Sequence, residues 1–93
     1  TSSFSAQTIP LNLSDYDILF ICHYSNYNQN PKPQRGVSVA LKSYGYGTIV
    51  DGSNLWPRRN VVVTNTGVEF TDAVANGSTQ NGYCVPQYIY GLK

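Results

Sequence analysis

Apolar and polar positions alternate with a period of two along most of this 93-residue chain, the spacing of β-strands whose successive side chains point to opposite faces. The longest apolar run, residues 18–22, lies within Tyr-Asp-Ile-Leu-Phe-Ile-Cys-His-Tyr at residues 16–24. On a strand, Tyr16, Ile18, Phe20, Cys22 and Tyr24 share one face, while Asp17, Leu19, Ile21 and His23 share the other. Both faces are partly apolar, which predicts a central strand. We read the aromatic side as facing the core, with Leu19 and Ile21 covered by another segment or another subunit.

The flanking stretches repeat the pattern. Residues 7–13 place Ile9, Leu11 and Leu13 on one side, and Pro10, which lacks an amide donor, confines this strand to an edge or a partial pairing. Residues 36–42 put Val37, Val39 and Leu41 inward and Ser38, Ala40 and Lys42 outward. Tyr44-Gly45-Tyr46-Gly47 follows, then residues 48–50 and a turn at Asp51-Gly52-Ser53-Asn54. A hairpin joins residues 60–64 to 68–73 through Asn65-Thr66-Gly67, with Gly67 available for a left-handed position. The last strand spans residues 83–92, with Tyr88, Tyr90 and Leu92 on one face. Residues 25–35 and 75–82 read as polar loops. About seven short strands and no amphipathic helix predict one all-β module over residues 1–93, an antiparallel β-sandwich of jelly-roll-like form.

Aromatic residues make up 13% of the chain, eight of them tyrosines, and charged residues only 12%, about half the usual share. The net charge of +1 comes with no basic stripe, which argues against nucleic acid as a partner. No apolar run approaches the length of a membrane span, so no membrane insertion is expected. Two cysteines, Cys22 and Cys84, allow one disulfide, but a small secreted domain that depends on disulfides usually carries more, which favours the reduced state.

Catalytic chemistry finds little support. The single histidine, His23, adjoins Cys22, but neighbouring strand residues face opposite ways and cannot act together. The five carboxylates fall mostly at turns or on outward positions, and no metal-ligand spacing occurs. No cofactor and no enzymatic activity are expected. What remains is a surface rich in aromatic and amide side chains, the chemistry that stacks on sugar rings and pairs with their hydroxyls. Tyr24, Tyr27, Asn28, Tyr44, Tyr46, Trp56 and Arg58 are the candidates. Taken alone, the tyrosine pair reads more readily as a packed cross-strand pair, and Trp56 as a plug for one end of the sandwich.

Three stretches carry a resemblance: Leu13-Ser14-Asp15-Tyr16-Asp17 before an apolar strand, the pair Arg59-Asn60-Val61-Val62-Val63 and Gly67-Val68-Glu69-Phe70-Thr71-Asp72, and the ending Cys84-Val85-Pro86-Gln87-Tyr88-Ile89-Tyr90-Gly91-Leu92-Lys93. Together they resemble the C-terminal head domain of tail-fibre, baseplate and receptor-binding proteins of phages and prophages of Gram-positive bacteria. The resemblance implies a β-sandwich head at the end of a longer fibre protein, assembled in the bacterial cytoplasm and carried on the virion. It implies a homotrimer that attaches to a bacterial surface polysaccharide or another host receptor. The lack of any Met and the Thr-Ser-Ser opening fit a module cut from such a fibre. Two other roles stay open, a trimerising or capping module without a receptor, and a glycan depolymerase fragment.

Overall fold

The computed structural model describes residues 3–25, 34–50 and 56–93. They form nine short strands: β1 (Gln7–Pro10), β2 (Ile18–Ser25), β3 (Gln34–Leu41), β4 (Tyr46–Val50), β5 (Arg58–Thr64), β6 (Gly67–Phe70), β7 (Val74–Ala75), β8 (Ser78–Thr79) and β9 (Val85–Leu92). All pairings are antiparallel. One sheet runs β1-β6-β5-β7-β8, with β4 on the other side of β5, and the second runs β3-β2-β9. The two sheets pack into a small β-sandwich, the expected fold class. The stretch at residues 16–24 supplies the central strand β2, and Pro10 ends the edge strand β1.

The core lies on the opposite face of β2 from the one expected. Leu19 and Ile21 are fully buried and pack within the chain against Ile49, Val61, Val63, Val68 and Phe70 of the other sheet. Ile18, Phe20, Cys22 and Tyr24 lie on the outer face, half-buried by their neighbours. β3 is inverted in the same way. Ala40 is buried, while Val37, Val39 and Leu41 are exposed. β3 crosses close over β4, so that a Cβ added to Gly47 would lie 3.4 Å from the Ala40 Cβ and 3.4 Å from the Val39 carbonyl oxygen. Ala40 packs closely against Gly47 there, while the valines are turned outward.

Polar groups confirm the phase. His23 and Ser25 continue the inner face of β2, with His23 Nε2 2.8 Å from Ser38 Oγ and Ser25 Oγ accepting the Cys84 amide at 3.0 Å. Cys84 is buried at φ +51°, whereas Cys22 lies on the outer face, and the two form no disulfide.

Arg59 organises one end of the sandwich. It alternates in phase with Val61 and Val63 along β5 and is only 1% exposed. Its guanidinium donates to the carbonyls of Phe4 (2.7 Å), Thr71 (2.8 Å), Cys84 (2.8 Å) and Tyr83 (3.0 Å), with Asn81 at 3.5 Å. It also lies 5.1 Å from the centre of the Phe4 ring. A planar, permanently charged fork suits this convergence of carbonyls. The N-terminal segment, β5 and the turn before β9 are thereby tied to one side chain. Burial lowers the Arg59 pKa, and the nearby Cys84 and Asp72 oppose that shift.

Two turns differ from expectation. Gly67 pairs with Thr64 across a connection of Asn65 and Thr66, and it does not adopt a positive φ. Its lack of a side chain serves a close approach instead, since a Cβ there would sit 2.7 Å from the Ile9 carbonyl oxygen of β1. Asn76-Gly77, read as part of a polar loop, joins β7 to β8 as a two-residue hairpin with both residues at positive φ, 51° and 78°. That is the usual Asn-Gly chemistry of a tight hairpin.

Candidate functional site

The candidate side chains divide between the two ends of the sandwich. At one end, residues 42–45 turn β3 into β4. The turn is fixed from both sides: Leu41 accepts the amides of Tyr44 and Gly45, at 3.1 and 2.9 Å, and Gly45 accepts the Val63 amide at 3.0 Å. Asp17 braces it further, taking the Ser43 amide at 2.9 Å and the Ser43 hydroxyl at 3.3 Å. Lys42 is held inward, donating to the Leu13 carbonyl at 2.7 Å.

This turn presents Tyr44 and Tyr46 with ring centres 5.0 Å apart and planes tilted by 41°. They are 67% and 57% exposed, so the pair is on the surface. Beside Tyr46, on the same outer face, β5 sets Val62 and β6 sets Glu69. One step along, Thr48 Oγ1 donates to Asn60 Oδ1 at 3.2 Å. An aromatic ledge on a fixed turn, bordered by hydroxyl, amide and carboxylate groups, offers what a sugar ring requires, an apolar face and hydrogen-bonding edges.

Trp56 and Arg58 lie at the opposite end, about 13 Å from Tyr46 along β4 at the ordinary strand rise, because Arg58 pairs with Val50. Trp56 does not plug the sandwich. It is 78% exposed and held at φ +55°, a conformation that bulky residues seldom adopt. Tyr24 is at this end too, on the outer face of β2 and paired with Arg35 and Val85. Tyr27, Asn28 and the Asp51-Asn54 turn lie outside the described residues. Tyr44 and Tyr46 therefore form one group, and Tyr24, Trp56 and Arg58 mark a second region.

A third surface went unread in the sequence. The outer face of β3-β2-β9 is apolar from edge to edge. Its rows follow the register: Leu41, Ile18 and Leu92; Val39, Phe20 and Tyr90; Val37, Cys22 and Tyr88. The signal was present in the alternation but was assigned to the core. Arg59 was likewise missed, although its phase with Val61 and Val63 placed it inside.

Among the described residues, no three His, Cys, Asp or Glu side chains come together as a metal site. His23 and Cys22 face opposite sides of their sheet, and Asp17 is engaged in the turn. Asp72 accepts the Ala6 amide at 2.8 Å and the Asn81 side-chain amide at 3.0 Å. These bonds hold its carboxyl below the ordinary 3.8, with help from Arg59 and against a smaller effect of burial. Its geometry is that of a clamp on the N-terminal segment. No protein-family model, curated protein or solved structure matches the chain.

Proposed function

We propose that the chain is a non-catalytic attachment module of a phage or prophage fibre that binds a bacterial surface glycan on exposed aromatic side chains. The observation that carries this reading is the Tyr44–Tyr46 ledge, fixed by the Asp17 and Gly45 contacts yet left on the surface. Holding two rings in place without burying them gives the fold little, whereas it prepares a stacking site at small entropic cost. Trp56, exposed at the far end, offers a second contact for a longer polymer.

The test is adsorption to intact Gram-positive cells and to their extracted wall polysaccharide. Replacing both Tyr44 and Tyr46 with Ala removes two stacking contacts of about 1 kcal/mol each, so binding should weaken by at least about tenfold. Because both rings are exposed, the unfolding midpoint should hardly move. Unchanged adsorption by this variant would remove the glycan reading. A second reading, an assembly or capping module without a receptor, is favoured by the apolar outer face of β3-β2-β9.

A further inference from the structure

We infer that the outer face of β3-β2-β9 is covered by the same face of another copy of this chain, with β3 of one copy set against β9 of the next. The inference is independent of the glycan reading.

Size comes first. Val37, Val39 and Leu41 on β3 are 61%, 52% and 39% exposed, and Tyr88, Tyr90 and Leu92 on β9 are 56%, 59% and 50% exposed. These side chains leave roughly 600 Å² of largely apolar surface, the top of the range for the largest patch on a monomer. Phe20 adds to it from the middle. Two such faces together bury roughly 1,200 Å², above the ~1,000 Å² that separates specific interfaces from incidental contacts.

Charge comes second. The three central rows carry none, and Arg35 beside Tyr24 stands at the border. An occupant bearing charge would bury it without a partner, which is costly. The same face of another copy brings no charge of its own.

Shape comes third. β3 presents narrow branched aliphatics and β9 presents broad tyrosines, with Tyr88 and Tyr90 ring centres 6.4 Å apart. β3 against β3 would set narrow on narrow and leave gaps, and β9 against β9 would crowd four rings. Setting β3 against β9 places Val39 opposite the other copy's Tyr90 and Val37 opposite its Tyr88, alternating small with large as packed sheets do. With two copies the pairing gives a face-to-face slab, and with three it closes a triangular core. Both are closed symmetric assemblies.

The test uses the whole chain. Light scattering over a concentration series should give a constant multiple of the 10.3 kDa chain mass. Cys22 reports on the face, because Cys84 is wholly buried and only Cys22 can meet a thiol reagent. V39K and Y90E, both at exposed positions, should each reduce the mass to that of one chain and speed Cys22 labelling by about tenfold or more. Their circular dichroism should stay that of the folded protein. The double variant V39K/Y90E places a cation opposite an anion across the proposed contact and should restore the assembly. A wild-type chain that stays monomeric at millimolar concentration overturns the proposal, as do single variants that keep the full mass. A folded double variant that remains monomeric overturns the β3-against-β9 pairing.

Discussion

Arg59 should be the costliest charged residue in the chain to remove. Substituting Met keeps much of the apolar stem and deletes the guanidinium. The Cys84 and Tyr83 carbonyls, whose bonds to Arg59 are buried, then lose the Arg59 donor, and each such hydrogen bond to a charged group is worth about 1.5–3 kcal/mol. The Phe4 and Thr71 carbonyls are only partly buried and recover water, so each loses about 0.5–1 kcal/mol. Relief from burying a cation offsets part of this. A net loss of about 4 kcal/mol follows, a large share of the roughly 5–15 kcal/mol that holds a domain folded. At about 4–8 °C per kcal/mol for a chain of this size, the melting temperature should fall by about 15–30 °C.

Urea and thermal unfolding of Arg59→Met beside Arg58→Ala measure this directly, since Arg58 is the exposed neighbour and should change stability by less than about 0.5 kcal/mol. Hydrogen exchange gives a second view. The segment holding Phe4 and β1 should lose protection first, because Arg59 holds the Phe4 carbonyl and, among the described residues, Asp72 alone then clamps the segment by a charged group. Arg59→Lys should fall between the two, as an ammonium reaches some of the carbonyls but lacks the planar fork. If Arg59→Met unfolds within about 1 kcal/mol of the wild type, the carbonyls find water or other donors and Arg59 is not the keystone.

Asp72 predicts the acid behaviour. Its folded pKa lies below the ordinary 3.8, so its contribution is complete above that value and fades as pH falls through the folded pKa. Asp72→Asn should therefore show a shallower loss of urea midpoint below about pH 4 than the wild type; parallel curves would mean the carboxylate does not couple to folding. Gly67→Ala forces a Cβ to within 2.7 Å of the Ile9 carbonyl oxygen and should cost about 1–3 kcal/mol by displacing β1. Chemical denaturation measures it, and an unchanged midpoint would show that β1 yields freely.

Strand positions were legible because alternation with a period of two needs only local sequence, and β2, the β5–β6 hairpin and the edge placement of β1 followed from it. Face assignment was harder. Alternation states which residues share a side; it does not state which side is inside. On β5 the tie breaks readily, since Asn60 and Thr64 are polar and Val61 and Val63 are not. On β2 both sides are apolar, and on β3 the alternation itself points the wrong way, since Val37, Val39 and Leu41 lie outside and Ala40 inside; the phase is set by how this sheet packs on the other, which only the tertiary fold brings about. The candidate site was legible by type but not by place: exposed tyrosines and Trp56 could be named, while their separation to opposite ends depends on which way β4 and β5 run.

The inverted reading of β2 and β3 has itself a physical cause. A strand that met water on one face would have shed its apolar residues there, and the sequence would have declared the inside at once. Here Val37, Val39 and Leu41 look like core because they have the chemistry of core, yet Ala40 is the side chain that is buried and Ser38 the one that meets His23. Two interiors are therefore written on one sheet. The inner one is filled within the chain by Ile49, Val61 and Phe70; the outer one is matched in size and alternation by its own copy turned to face it. If V39K and Y90E leave the mass unchanged, that second interior is only surface, and the valines of β3 would need a different explanation.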